Sequence, residues 1–344
     1  MKRIFCLIMA FLLMFAGCGK GESVAQDTGD KTAYALILNN EADADNVNPM
    51  VFVQSSKEIA VGDTYDSDVF GKLEVLYAYT GFDTEVYLGQ NDPRGFIMEA
   101  VAPWYVETDY VTSVTVEDTI VPVSTANWFY GFQNCHTFDL EKLDTQNVTN
   151  MAYMFHYAGE SVTDTVTIKG MDKWDTSKVT DMNNMFCRAA EKSEVWDIGD
   201  ISVWDTSNVK NMSYMFSEAG RGVTEWSVGD LSGWKVDNVT TMKDMFSVAG
   251  TASHEWDVGD LSSWNVANVT DMYSMFYQAG YGAEKWHIGD ISDWDTSNVN
   301  NMSLMFREAG KFADWNVGDL SKWNVDNVVW YDYFEAKATA LPKF

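Results

Sequence analysis

The sequence predicts an α/β repeat solenoid, in which each coil holds one short strand and one short helix, preceded by a small β-rich domain. Two observations support this prediction. A unit of about thirty residues recurs along most of the chain, and each copy contains one stretch with strand-like alternation and one with helical spacing. Because a single copy is too small to bury both halves, we expect the copies to stack around a continuous core.

The first seventeen residues have the pattern of a secretory signal peptide. Two basic residues precede an apolar run from Ile4 to Phe15, and this run is too short to span a membrane comfortably. Small residues then lead into Cys18, which resembles the modified cysteine of bacterial lipoproteins. We therefore predict a signal peptide over residues 1–17 and a stable lipid anchor of two or three acyl chains on Cys18.

Two segments separate this anchor from the repeats. Residues 18–31 are small and polar, which predicts a flexible tether. Residues 32–106 contain four stretches of strand-like composition, TAYALILN, MVFVQ, LEVLYAYT and TEVYLG. We predict that residues 32–106 form a small β-rich domain packed on the first coil.

The repeats extend over residues 107–334 and are marked by a Met-Phe dipeptide. The phenylalanines of this dipeptide are 31 residues apart once and 30 residues apart four times, and they are Phe155, Phe186, Phe216, Phe246, Phe276 and Phe306. Atypical copies, WFYGF and WYDYF, precede and follow them, as expected of capping coils. Residues 335–344 are predicted to form a C-terminal tail.

The copy at residues 256–280 shows both halves of the predicted coil. The sequence WDVGDLSSW (256–264) alternates apolar and polar residues around a glycine, which predicts a short strand with a turn or bulge. The sequence VTDMYSMFYQAG (269–280) has apolar residues at the spacing of one helical face and ends in the glycine expected after a helix.

Stacking would align the tryptophans into two columns. The first column is Trp174, Trp204, Trp234, Trp264, Trp294 and Trp323, and the second is Trp196, Trp226, Trp256, Trp286 and Trp315. Residues that recur in every copy at fixed spacing are most simply core, and the methionine column from Met151 to Met302 has the same interpretation. The alternative is that a tryptophan column is exposed and stacks on carbohydrate.

An aspartate follows a glycine in five successive coils, which would bring like charges about 5 Å apart. These residues are Asp200, Asp230, Asp260, Asp290 and Asp319. Each carboxylate either accepts backbone N–H groups of its own turn, which we favour, or shares a bound Ca²⁺ with its neighbours. No other cofactor or metal is suggested.

No motif for catalysis is evident in the sequence. The four histidines lack metal-binding spacing, and neither a nucleophile elbow nor a phosphate-binding loop is present. Cys135 and Cys187 would lie two coils apart, which is about 10 Å and too far for a disulfide, so both thiols are predicted to be free. We therefore expect a protein that is not an enzyme.

The sequences DTQNVTNMAYMF (144–155), DTSNVKNMSYMF (205–216) and DTSNVNNMSLMF (295–306) resemble the repeat of BspA-like leucine-rich-repeat surface proteins. This family is also grouped as mycoplasma-type surface lipoproteins with repeats of 25–26 residues. The resemblance covers roughly residues 107–334, and it implies a leucine-rich-repeat-like solenoid on the outside of a bacterium. Some members of the family are adhesins for matrix proteins or for other cells.

These expectations favour a lipid-anchored adhesin or protein-interaction module at the outer surface of the bacterial cell envelope. Its partners would be host or bacterial surface proteins or extracellular matrix, contacted by loops that change between copies. The candidate binding residues in these loops are Arg221, Thr224, Thr251, His254, Tyr281 and Lys285. The net charge of −28 disfavours nucleic acid, and membrane contact is expected only through the anchor. The alternatives are a glycan-binding protein that uses exposed tryptophans and a structural surface-coat protein.

Overall fold

A computed structural model describes residues 31–40, 48–82 and 102–344. The predicted signal peptide, Cys18 and all but the last residue of the predicted tether lie outside the described residues. The predicted strand TEVYLG also lies outside them. Within the part of the chain that the structure describes, no helix is long and apolar enough to cross a bilayer.

The described chain is built from ten strands. They are β1 (Thr32–Asn39), β2 (Asn48–Ser55), β3 (Thr64–Ser67), β4 (Gly71–Thr80), β5 (Val111–Val116), β6 (Thr137–Asp139), β7 (Thr165–Lys169), β8 (Val195–Asp197), β9 (Glu255–Asp257) and β10 (Lys285–His287). Eight of them form one mixed sheet in the order β3-β4-β1-β2-β5-β6-β7-β8, and β9 pairs with β10 in a second sheet. β1 to β4 are antiparallel, whereas each pairing from β2 through β5 to β8 is parallel. The sheet is therefore continuous from the N-terminal region into the first repeats.

The predicted α/β solenoid with one helix per coil is wrong. The described residues contain no α-helix, and their only helical segments are short 3₁₀ helices. These segments are Tyr105–Tyr110, Met171–Lys173, Leu261–Ser263 and Leu320–Lys322. The leucine-rich-repeat character that the sequence resemblance implies is not supported either.

The backbone of the predicted helix explains this error. In the segment 269–280, Ser274 and Gln278 have φ values of 52° and 51°, which are left-handed and incompatible with a right-handed helix. The N–H group of Ser274 donates to the carbonyl of Ser303 in the next unit at 2.9 Å, rather than to a residue one turn earlier. The apolar residues thus have helical spacing, but successive tight turns place them in the core.

The left-handed conformation is a property of the repeat and not of one copy. All but two of the non-glycine residues with positive φ in the described chain fall in two rows, with at most one residue per unit in each row. The first row is Asn127, Tyr153, Asn184, Tyr214, Asp244, Ser274, Leu304 and Tyr333, and the second is Tyr157, Arg188, Glu218, Val248, Gln278 and Glu308. With this backbone, every second N–H group donates to the next unit, as at Ser274, Phe276 and Gln278. The N–H groups of Met275 and Tyr277 between them donate within their own turn.

Backbone hydrogen bonds join each unit to the next. The bridges between units are parallel and about thirty residues apart, as between Asn211 and Thr241. Side chains add a second set of contacts, in which an asparagine amide of each unit donates to a carbonyl of the preceding unit at 2.7 Å. These asparagines are Asn208, Asn238, Asn268, Asn298 and Asn327. The C-terminal tail closes part of the last unit, because Thr339 donates to the carbonyl of Gly318.

The core consists of stacked columns of identical side chains. Successive rings of the Met-Phe phenylalanines lie 5.4–5.6 Å apart and nearly parallel. Every tryptophan of both predicted columns is buried, as are the methionines from Met151 to Met302. The prediction that these residues form the core is therefore confirmed. Glycine is required beside the second tryptophan column, since a Cβ on Gly280 would lie 2.5 Å from the Cβ of Trp256.

Candidate functional site

The six predicted loop residues lie along one edge of the stacked units. Thr251 donates its hydroxyl to the carbonyl of Arg221 at 3.1 Å, and the N–H of His254 donates to the carbonyl of Thr224 at 3.0 Å. Tyr281 accepts a hydrogen bond from Lys311 at 2.9 Å. The structure thus brings these residues together as neighbours in rows.

The charged members of this edge are engaged with neighbouring units. The guanidinium of Arg221 is 3.1 Å from Glu191 and 3.2 Å from Glu218, and the ammonium of Lys285 is 3.1 Å from Glu255. The edge is therefore an array of contacts between units.

The aspartate column is satisfied by its own turns, as predicted. In each unit, Oδ1 of the aspartate accepts the N–H of the residue two positions later at 2.9 Å. Hydrogen bonds from this serine hold the pKa of each of these carboxyl groups below its usual value. No group of three or more His, Cys, Asp or Glu among the described residues is arranged to hold a metal ion.

The predicted free thiols are confirmed at Cys135 and Cys187, both of which are buried and unpaired by disulfide. Burial raises the pKa of each thiol far above its usual range. A protonated buried thiol is a poor nucleophile, so both cysteines serve packing.

A concave feature lies on the face formed by the Met-Phe segments of the first units. We call it the tyrosine groove, and it is lined by residues within 126–130, 150–157, 181–188 and 211–218. Its volume is about 810 Å³, which lies in the range of small-molecule and oligomer sites. Left-handed residues shape it, since Asn127, Tyr153, Asn184 and Tyr214 all belong to the first row and all line it.

Aromatic rings cluster at one end of the tyrosine groove. The ring of His156 is stacked on Tyr153 with centroids 5.4 Å apart, and it lies 5.2 Å from Tyr130 and 4.2 Å from Tyr157. Tyr214 lines the groove farther along, and the ammonium of Lys243 lies 5.4 Å from its ring centroid. Such rings offer flat apolar faces with polar edges.

One arginine, Arg188, lines the groove, and its charge is paired within the protein. The guanidinium of Arg188 is 2.7 Å from Glu191 and 3.0 Å from Glu160, with Glu218 at 3.8 Å. Burial alone would lower the pKa of Arg188, but hydrogen bonding to Glu191 and the charges of both nearer carboxylates raise it above its usual value. The arginine is therefore permanently charged and held by three acids.

Side-chain amides form the polar part of the groove. Asn150, Asp181 and Asn211 occupy one bridged row, and each uses Oδ1 to accept a backbone N–H two residues later, at 2.8, 3.0 and 3.0 Å. Asn127 is only 6% exposed, and its Oδ1 has no hydrogen-bond partner among the described residues. The groove can thus hold a ligand by aromatic stacking and by hydrogen bonds to amide groups.

Sequence reasoning missed the tyrosine groove, although a signal for it was present. The residues between the two methionines of each unit are AY, NN and SY in the groove units, and KD, YS and SL farther along. These positions change while the methionines on either side do not, as expected of a surface whose residues packing does not dictate.

Comparison with protein families identifies a match. The model of a family described as Mycoplasma protein of unknown function, DUF285, matches residues 123–256, 223–281 and 253–343. These three ranges together cover the repeats, the groove and the aspartate column. No curated protein and no solved structure matches the chain.

Proposed function

Since the chain belongs to the family of Mycoplasma proteins of unknown function, DUF285, we propose that it is a cell-surface recognition protein that binds its partner in the tyrosine groove. It is anchored through lipid on Cys18 and acts as an adhesin at the outer face of the cell envelope. Its partners are surface or matrix proteins, and it binds them without transforming them. We also propose that, within this family, the chain is related to the BspA-like adhesins.

One observation carries the proposal. The buried residues repeat from unit to unit, whereas the groove residues do not. The second left-handed row holds Tyr157, Arg188 and Glu218 in the three groove units, three chemically different side chains at one equivalent position. Core packing does not fix these side chains, and they line a concave face of about 810 Å³, from which we infer that a ligand contacts this face.

The two alternatives have less support. A glycan-binding surface made of exposed tryptophans loses its basis, because both tryptophan columns are buried. A purely structural surface coat needs lateral contacts but no concave, aromatic-lined feature of about 810 Å³.

The proposal is tested with the chain from residue 32 onward, screened against immobilised matrix and bacterial surface proteins. Tyr214→Gly removes a groove ring at a left-handed position where glycine costs no backbone strain. We expect it to weaken binding on the order of tenfold, as for an aromatic residue central to an interface. Leu304→Gly is the matched control, because Leu304 occupies the same row outside the groove.

Two outcomes would contradict the proposal. Absence of saturable binding would argue against recognition by this chain. Binding that Tyr214→Gly leaves intact and that Thr224→Ala with His254→Ala abolishes would place the contact on the edge loops instead of the groove.

A further inference from the structure

An unfilled acceptor marks the tyrosine groove as a binding site. Asn127 lines the groove and is more than nine-tenths buried, yet its Oδ1 accepts no hydrogen bond from any described residue. A buried polar atom without a partner is costly, and it is satisfied when a ligand brings a donor. A ligand with an O–H or N–H group at this point would supply the missing donor.

The row of Asn150, Asp181 and Asn211 is complementary to a ligand that both donates and accepts hydrogen bonds. Each residue engages one oxygen in its own turn. The amide Nδ2 groups of Asn150 and Asn211 donate to no described residue, and the second oxygen of Asp181 accepts from none. Donors and acceptors thus alternate from unit to unit, about 5 Å apart. Hydroxyl groups match such a row, since each of them can donate and accept.

The charge balance of the groove disfavours an anionic ligand. The guanidinium of Arg188 is already ion-paired with Glu160, Glu191 and Glu218, so it is not available to pair with an anionic ligand. The remaining acid of the lining, Asp181, is hydrogen-bonded to the backbone and side-chain amides of Asn183. An anionic group in the ligand would therefore lack a cationic partner that is not already paired.

From these observations we propose that the groove binds a neutral oligosaccharide, whose hydroxyl groups bond to Asn127, Asn150 and Asn211 and whose ring faces pack on the groove tyrosines. This inference rests on the proposed function and narrows it, because the partner is then recognised through its glycan. Tyr153, Tyr157 and Tyr214 are partly exposed in the groove, and such rings supply the flat apolar surface that the C–H face of a sugar ring covers. A peptide ligand is the competing class, and it is an outcome of the test.

The experiment measures binding of the chain from residue 32 onward to an array of neutral oligosaccharides, followed by titration with the strongest binders. Asn127→Gly deletes the unpartnered oxygen and keeps the left-handed backbone. Asn211→Asp keeps the acceptor for Ser213 and deletes the donor, and aspartate already stands at the equivalent positions 181 and 271. We expect each variant to lower affinity on the order of tenfold.

Two matched controls lie outside the groove. Ser274→Gly repeats the change of Asn127→Gly in the same left-handed row, and Asn301→Asp repeats that of Asn211→Asp in the same bridged row. Both controls are expected to leave affinity unchanged, and thermal melts show whether every variant is folded.

The outcomes separate this inference from the proposed function. Groove-dependent binding of neutral oligosaccharides supports both. Groove-dependent binding of unglycosylated peptides or proteins, with no oligosaccharide bound, overturns the inference and leaves the function standing. Oligosaccharide binding that Asn127→Gly and Asn211→Asp do not weaken places the site elsewhere and overturns the inference. If the chain binds neither oligosaccharides nor peptides or proteins, both the inference and the proposed function are contradicted.

Discussion

The carboxyl group of a single residue, Asp244, is expected to make the stability of the folded protein depend on pH. It occupies the first left-handed row one unit beyond the groove and is 8% exposed. Burial raises the pKa of its carboxyl group to about 6, although Lys243, Tyr214 and Ser247 oppose this shift. Folding therefore favours the protonated form, and this contribution is present below about pH 4 and lost as the pH rises through about 6.

Asp244→Asn removes the buried charge and keeps a side chain that tolerates a left-handed backbone. At pH 7.5 we expect the variant to have a free energy of unfolding greater by about 1–3 kcal/mol, with the difference vanishing near pH 4. Urea denaturation at a series of pH values measures it. Asp230→Asn is the control, because hydrogen bonds from Ser232 lower the pKa of Asp230, so that change should not stabilise the protein. A difference that is the same at all pH values would show that charge burial is not its cause.

At the scale of the element, the turn segment between Met-Phe and the following glycine sets the geometry of each unit. It alternates right- and left-handed residues and ends in a left-handed glycine packed on a tryptophan. A glycine at this position allows a left-handed backbone, and it also allows the tryptophan to pack closely against the chain. Substitutions at different glycines can measure these two effects separately.

Gly280→Ala and Gly199→Ala form a matched pair for this separation. Both positions have positive φ, but a Cβ at Gly199 meets nothing within 4 Å, whereas at Gly280 it lies 2.5 Å from the Cβ of Trp256. We expect Gly199→Ala to cost about 1–2 kcal/mol from backbone strain alone. Gly280→Ala is expected to cost about 3–5 kcal/mol, since the tryptophan column must also shift. Equal costs, measured by chemical denaturation, would contradict the packing role of Gly280.

At the scale of the whole molecule, stability comes from contacts between adjacent units, as in other repeat arrays. The same rings and the same hydrogen bonds recur at each junction, so no single internal unit is required for the others to pack. The architecture is therefore expected to tolerate a change in the number of units.

Deletion of residues 241–270 removes one complete unit and joins Thr240 to Asp271. Phe216 then meets Phe276, and Trp226 meets Trp286, which are the neighbours that the repeat already provides. We expect a folded protein with a melting temperature lower by several degrees and with ligand binding in the groove retained. Circular dichroism and the binding assay measure these properties. Deletion of residues 241–255 shifts the register and serves as the control, and equal stability of the two deletions would contradict the repeat model.

The sequence predicted the thirty-residue stacking period and the buried tryptophans, because identical side chains in every copy leave the core as their simplest location. It did not predict the backbone. Val269, Met272 and Phe276 have the spacing of a helical face, and a ladder of turns satisfies this spacing equally well. The periodicity records which residues face the core, and it does not record the handedness of Ser274 and Gln278 between them.

The tyrosine groove was harder to predict for a different reason. Asn127 and Tyr130 belong to an atypical first copy with no Met-Phe dipeptide, so alignment of the repeats did not connect them with Tyr153 and Tyr214. The edge residues such as Arg221 were chosen because they vary, and variation alone does not distinguish a contact between units from a contact with a ligand.

The stacked indoles also give the molecule an optical property. In the first tryptophan column, the pairs Trp174–Trp204, Trp204–Trp234 and Trp294–Trp323 have ring centroids 6.0–6.2 Å apart and interplanar angles of 7–9°. At such separations an electronic excitation created on one ring passes readily to its neighbour. A quenching group placed beside Trp174 is therefore expected to reduce the emission of Trp204 and Trp234 as well, so the fluorescence of the protein reports on the packing of these rings.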